Sequence, residues 1–350
     1  MSHPNGITAN AFTASARDRL QAYVERQGLA AKPFVALTPD ASTRNYFRIK
    51  WKRGTAVAAV YPEPFDREVH PFLDVTRLMH AADLPVPLIY DVDDAQGIII
   101  QEDCGDNLLR QFFDTASEDE HDEYLERAIS LIADIQAATA KAYEMNSIAS
   151  RLAFDEAKLV WEMDFFVEHF FQSLRRETLK RGEETELRAE LTDLSAELAA
   201  RPRVLCHRDF HSANLLIDRK DRLRIVDHQD ARMGPASYDL VSLLLDRQTS
   251  VPSLAEIRAR RLYFLEERRQ RGLEAIDPDD FAREFRMMTV QRCLKAVGTF
   301  SYLTGVCGRG AAYAQFIGPM LLIVLQSLSW LERFPALRAA LQARVDERYS

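Results

Sequence analysis

The sequence predicts an α+β chain of two lobes, a small sheet-rich lobe over residues 1–103 and a larger, mostly helical lobe over 104–350. Three observations predict it. Short apolar runs broken by turn residues fill much of the first hundred positions. After Gly105 the apolar residues recur at helical spacing. A single polar hairpin near 203–227 interrupts that helical part, and a cleft between two lobes is the expected place for a site.

Each element has its own signal. Ala16, Leu20, Tyr23 and Val24 mark a helix over 13–28, stopped by Gly28. Tyr46, Phe47 and Ile49 form one strand and Ala56 to Tyr61 another, with "KRG" as the turn. A helix over 66–82 ends before Pro85-Val86-Pro87. "LIYDVD" and "GIIIQED" read as two further strands joined through Asp93 to Gly97. In the second lobe, Leu125, Ile129, Ile132 and Ile135 mark one amphipathic helix, and Leu159, Met163, Phe166, Phe170 and Leu174 another. The segment 180–200 reads as a charged, solvated helix. "RVLC", "NLLID" and "LRIVD" are brief strands, the last two closed by "RKD". From 236 onward the pattern is helical, and the arginine-rich stretch 258–272 reads as a solvated helix.

Composition narrows the function classes. The net charge of −8 argues against a polyanionic partner such as nucleic acid. Cysteines at 104, 206, 293 and 307 contain no CxxC pair, which argues against a zinc ribbon or redox dithiol. No signal peptide is visible, and the apolar run Met320 to Leu325 is too short to span a bilayer. A cytoplasmic protein with no membrane partner is expected. The sequence carries no signal for oligomeric state.

The chemistry concentrates in "HRDFHSAN", residues 207–214, and its sequel. Asp209 precedes the hairpin, Asn214 begins its first strand and Asp227 ends its second, so the turn brings the three together. An amide and a carboxylate suit a hard dication that keeps positions open for phosphate oxygens. A separate carboxylate can take a proton from a hydroxyl nucleophile. Phosphoryl transfer needs this division of labour. The alternative is zinc on His207, Asp209 and His211, but no second histidine-rich motif appears among the eight histidines. Asp239, taken alone, has a plain reading as a helix cap.

His207-Arg208-Asp209 with Asn214 five residues after the aspartate resembles the kinase catalytic loop, H-x-D-x-x-x-x-N. Asp-His-Gln at 227–229, in place of Asp-Phe-Gly, and "YDL" at 238–240 point away from protein kinases. The pattern is similar to the aminoglycoside phosphotransferase-like small-molecule kinases, over nearly the whole chain. That resemblance implies a bilobal protein-kinase-like fold, ATP and Mg2+ as cofactors, and Asp209 as catalytic base. It implies Asn214 and Asp227 as metal ligands, and His207 and Asp239 as supports of the loop. His211 receives no role.

On the nucleotide side, the resemblance places phosphates over "DASTRNYFRI" (40–49), with Ser42 and Thr43 in the covering turn. It places adenine against the hinge "IIIQEDCGD" (98–106), with Ile100 lining the pocket and backbone groups of Gln101 and Asp103 holding the base. "TAVAAVYP" has no lysine to grip the phosphates, and Arg44 is the expected substitute.

"QEDCGD", "HRDFHSANLL", "IVDHQDARMGPASYDLVSLLLD" and "QRCLKAVGTF" resemble bacterial anomeric kinases of N-acetylmuramate and N-acetylglucosamine, used in cell-wall recycling. A small-molecule sugar partner follows. His228, Gln229 and Asp230, then Asp246 and Arg247, are candidates for its hydroxyls. Arg247 also has a plain reading as a helix C-terminal cation. Arg292 and Lys295, three apart on a helix, are candidate cations for a lactyl carboxylate, against the alternative of a solvated basic face. An aminoglycoside, amino-alcohol or homoserine kinase remains an alternative, as does a catalytically silent nucleotide-binding protein.

Overall fold

The computed structural model of the chain describes residues 9–29, 34–37, 44–52 and 54–349. Its first helix, α1 (Ala9–Arg26), buries Ala16, Leu20, Tyr23 and Val24, as their spacing predicts. Strands β1 (Val35–Leu37), β2 (Asn45–Trp51) and β3 (Gly54–Val60) follow, then α2 (Pro71–Ala81), β4 (Ile89–Asp93) and β5 (Ile98–Glu102). They make one antiparallel sheet in the order β1-β2-β3-β5-β4. Alternation along β5 splits its side chains between two layers. Ile98 and Ile100 pack with Phe47, Ala58 and the residues of α1, whereas Ile99 packs with Ala59, Phe72 and Leu73 on the other face.

Helix α2 starts at Pro71 rather than at 66, because proline fits the first helical position and 66–70 form a turn. Its Val75, Leu78 and Met79 are buried in the core of the larger lobe. The expected division at 103–104 falls in the connection between β5 and α3 (Leu109–Phe113). In space, however, α2 ties the lobes together.

Helix α4 (Glu118–Ala137) opens with a capping box of Ser117 and Glu120 and buries Leu125, Ile129, Ile132 and Ile135. Short helices α5 (Thr139–Glu144) and α6 (Ile148–Arg151) lead to α7 (Glu156–Phe166). The single helix expected through Leu174 widens here into a π-helical segment, Val167–Leu174, in which Phe170 and Phe171 are both buried. Helix α8 (Arg181–Ala199) is charged on one side only, since Leu187, Leu191, Leu194 and Leu198 form a buried stripe.

Strands β6 (Arg203–Cys206), β7 (Leu215–Ile217), β8 (Leu223–Ile225) and β9 (Arg232–Pro235) come next. β7 and β8 form the expected hairpin. β6 pairs with β9, a strand the sequence reading missed because "RMGP" shows no alternation and contains both glycine and proline. The remainder is helical: α9 (Tyr238–Leu245), α10 (Leu254–Gln270), α11 (Pro278–Gly305), α12 (Gly310–Leu331) and α13 (Pro335–Tyr349). By length and composition 312–331 could cross a membrane, but half of that stretch is buried inside the fold. Helix α10 is not simply solvated. Arg260 is buried and pairs with Asp122 and Glu126 of α4, and Arg268 is buried against Gln136.

Two glycines set the position of α11. A Cβ on Gly298 would lie 2.8 Å from Phe166 Cα, and one on Gly305 would lie 2.8 Å from the Ser173 carbonyl oxygen. The helix therefore touches α7 and the π-helical segment backbone to backbone. Residues 292–300 of α11 then face Asp209, Asn214 and Asp227 across one cavity.

Candidate active site

Strand β6 ends just before His207, which is fully buried behind the loop. Its backbone N–H donates to Asp239 Oδ2 at 2.6 Å, and that of Arg208 donates to Oδ1 at 3.0 Å. Asp239 sits in the first turn of α9 and is fully buried. Burial pushes its carboxyl up, which His207 and the two N–H groups partly offset. His207 Nε2 lies 3.1 Å from the Val226 carbonyl oxygen, joining the loop to the end of the hairpin. Arg208 (φ +86°) and Asp227 (φ +63°) are both left-handed, a strain that side-chain-bearing residues sustain only where the surroundings hold them.

Three cations surround Asp209. Arg292 Nη2 and Lys295 Nζ reach the same oxygen, Oδ1, at 3.4 and 3.5 Å, and Arg208 Nε lies 3.9 Å from Oδ2. Burial pushes the carboxyl up, but Lys295, Arg292, Arg208 and His211 outweigh it and hold Asp209 far below the usual carboxylate range. The basic-face alternative for α11 is thus set aside, since the Arg292 and Lys295 side chains are only 4% and 18% exposed.

Asn214 ends a short 3-10 turn, one residue before β7, and its Nδ2 donates to the Asp209 carbonyl oxygen at 2.9 Å. The amide oxygen has no hydrogen-bond partner among the described residues. Asp227 lies two residues past β8, is 44% exposed, and accepts from Gln229 Nε2 at 2.9 Å and Arg44 Nη2 at 3.4 Å. Asn214 and Asp227 line two adjoining cavities, one of about 220 Å³ beside Asp209 and one of about 410 Å³ beneath the sheet. The pair stands on the boundary where two substrates would meet. Two oxygen donors suit magnesium, which retains water and takes phosphate oxygens for its other positions. The H-x-D-x-H alternative for zinc does not converge, because His207 is committed to Val226 and Asp209 to cations.

The larger cavity is walled by Arg44, Tyr46, Phe72, Gln101 and Leu216. Arg44 lies over the rings of Tyr46 and Tyr61, at 5.6 and 5.7 Å. Ser42 and Thr43 lie outside the described residues. Ile100 does not line this cavity. It sits in the α1 layer, because the parity of β5 sends Gln101 to the cleft and Ile100 away from it. The Asp103 side chain is held by Arg48 at 2.8 and 3.0 Å, so any contact with a base falls to its backbone.

The smaller cavity holds Asp246 and Arg247 beside Arg292 and Lys295. Asp246 Oδ2 accepts from Arg292 Nη2 at 3.1 Å. The three residues after Asp227 are placed otherwise than expected. His228 is fully buried, its Nε2 lies 2.7 Å from Thr76 Oγ1, and its ring stacks on Phe72. Burial, followed by His207, His80 and Arg44, pushes its pKa down to about 3, so it is a neutral prop for α2. Gln229 lines the larger cavity and Asp230 pairs with Arg208 at 3.0 Å, and neither borders the smaller one. The left-handed turn at Asp227 directs this run beneath α2.

His211, given no role from sequence, lines the smaller cavity, and its buried Nδ1 has no hydrogen-bond partner among the described residues. Thr299 and Phe300 also line it. They stand seven and eight positions after Arg292, a spacing that places them on the same helix face and could have found them.

The sequence pattern of the phosphotransferase enzyme family (APH) matches residues 34–275. A protein of Neisseria meningitidis serogroup B called N-acetylmuramate/N-acetylglucosamine kinase is 32% identical over 271 residues, 75% of this chain and 76% of its own. One of that name from Pseudomonas aeruginosa is 30% identical over 287 residues, 79% of each chain. Among solved structures, choline kinase from Cryptosporidium parvum has the same fold, with a TM-score of 0.60 at 11% identity over 93% of this chain and 99% of its own.

Proposed function

Because the chain belongs to the phosphotransferase enzyme family, and so is an ATP-dependent kinase of an alcohol group, we propose that it phosphorylates an amino sugar. The acceptor is N-acetylglucosamine or N-acetylmuramate, the group attacked is the anomeric hydroxyl, and the setting is cell-wall recycling. Relatives named for that activity support this reading. The observation that carries it is the charge of the acceptor cavity. Its carboxylates Asp209, Asp227 and Asp246 are matched by Arg247, Arg292 and Lys295, and Asp209 and Asp246 are already paired. A polycationic antibiotic or a choline-like amine needs a surplus of carboxylates or a cage of aromatic faces. A neutral sugar fits a charge-balanced lining, and the lactyl carboxylate of N-acetylmuramate would find cations in it.

Asp209 accepts the proton of the attacking hydroxyl. Lys295 and Arg292 keep it ionised and fix its Oδ1 toward the acceptor. Its weak basicity is tolerated because the transferred phosphoryl group passes through a loose transition state, in which the hydroxyl proton leaves late. Arg44 supplies positive charge to the nucleotide phosphates from the sheet side. Asn214 and Asp227 would hold magnesium, which when bound neutralises charge on the transferring phosphate. Asp239 and His207 hold the loop in its strained form.

The experiment is incubation with ATP, magnesium and a mixed acceptor pool, followed by mass spectrometry and a reducing-end assay. Phosphate added to an N-acetylated amino sugar with loss of its reducing end is expected, and Asp209→Asn abolishes it. Phosphorylation of an aminoglycoside or choline, with no sugar consumed, would refute the proposal.

A further inference from the structure

Away from Asp209, helices α10, α11 and α12 border a further cavity of about 150 Å³, open to solvent beside Leu254 and Trp330. Leu245, Ile257, Phe285, Ile323 and Trp330 give it apolar walls. Arg258 and Arg261, one helical turn apart on α10, and Arg286 on α11 also line it, with the neutral polar side chains of Thr289, Gln326 and Ser327. Other arginines on and just after α10 have acids. Arg260 meets Asp122 and Glu126, and Arg271 meets Asp134 and Glu267 at 2.5 and 2.8 Å. Arg258, Arg261 and Arg286 have no hydrogen bond or ion pair among the described residues, and the Arg261 Nε is buried without a partner.

Arg258 is exposed, but Arg261 and Arg286 are half-buried, and unpaired cations withdrawn from water are costly. Burial lowers the pKa of Arg261, and Arg286 and Arg258 lower it further. Burial likewise lowers that of Arg286, with only Asp279 opposing. Two of the guanidinium groups are already oriented by rings, Arg261 over Phe285 at 5.5 Å and Arg286 over Trp330 at 5.2 Å. A planar guanidinium held in this way presents its fork to a phosphate or carboxylate. A hollow of this volume accommodates one aromatic ring or a short acyl chain.

We propose that this cavity is a second ligand site, which binds a small amphipathic anion: a phosphate or carboxylate carried on a single ring or short chain. It lies directly behind the acceptor wall. Leu245 immediately precedes Asp246, and Arg286 precedes Arg292 on the same helix. Neither the transfer reaction nor the acceptor uses it.

The test is calorimetric titration of the full chain with phenyl phosphate, with phenol and inorganic phosphate as comparisons, in the presence of saturating ADP to fill the nucleotide cleft. Saturable binding of phenyl phosphate is expected, about tenfold or more weakened in both Arg261→Gln and Arg286→Gln, as loss of a charge-assisted bond requires. Both positions are partly exposed and mutually repelling, so the neutral variants retain the fold. Ile257→Trp, which fills the hollow, abolishes binding. Absence of saturable binding, unchanged affinity in any of the three variants, or equal affinity for inorganic phosphate or phenol overturns the proposal.

Discussion

Lys295 Nζ lies 3.5 Å from Asp209 Oδ1, and Arg292 Nη2 converges on that same oxygen from one turn earlier on α11. A carboxylate so placed stays ionised at any physiological pH, and the helix that keeps it ionised also walls the acceptor cavity.

Removing one of these cations has a signed consequence. Lys295→Met deletes the largest influence that holds Asp209 down, so its pKa rises. The reaction uses the ionised form, so the acid limb of the kcat/KM profile moves to higher pH than in the wild type. A depressed carboxylate lends stability that is present above its unfolded pKa and lost as pH falls. The variant therefore also loses less stability on acidification, read from denaturant midpoints across pH.

Asp209→Asn keeps the shape of the loop and removes the proton acceptor. The expected outcome is a fall in kcat of about 100-fold or more, with nucleotide affinity unchanged. Single-turnover kinetics and nucleotide titration check the two parts. Retained turnover would remove Asp209 from the role of base.

Asp239→Ala orphans two buried N–H groups, those of His207 and Arg208. The loss is about 3 kcal/mol of stability in chemical denaturation. Turnover falls as well, because the left-handed Arg208 is no longer held. Unchanged stability with intact activity would show that the loop does not depend on this brace.

Arg44→Ala removes a cation that lines the larger cavity and not the smaller. The KM for ATP is expected to rise about tenfold, with the KM for the acceptor unaffected. Steady-state kinetics with each substrate varied gives the answer. Unchanged apparent affinity for ATP and unchanged turnover would defeat this assignment.

Gly298→Ala presses a methyl group against the Phe166 backbone, where neither helix can yield as a flexible side chain would. A loss of about 1–3 kcal/mol is expected, measured as a lower denaturation midpoint.

Much of this was legible in the sequence. Helical period located α1 and α4, the "RKD" turn between two short apolar runs located the β7–β8 hairpin, and the spacing of Asp209, Asn214 and Asp227 anticipated their meeting on one wall. What failed was decided by tertiary contacts. β9 is a strand only because β6 lies beside it. Strand parity was available for Ile100 but was overridden by its place in the hinge motif. His228 was placed by adjacency to Asp227, and a positive φ that no residue type announces turned it beneath α2. The unpaired arginines of α10 look no different in sequence from their paired neighbours Arg260 and Arg268.

The two cavities that share Asn214 and Asp227 differ in where their walls come from. The cavity beside Asp209 takes its lining from residues 209–313, all in the larger lobe, while the other borrows Leu37, Arg44 and Tyr46 from the sheet. A displacement of one lobe against the other reshapes the second and leaves the first whole. The walls of the cavity beside Asp209 therefore stay in register with its carboxylate whatever the sheet does.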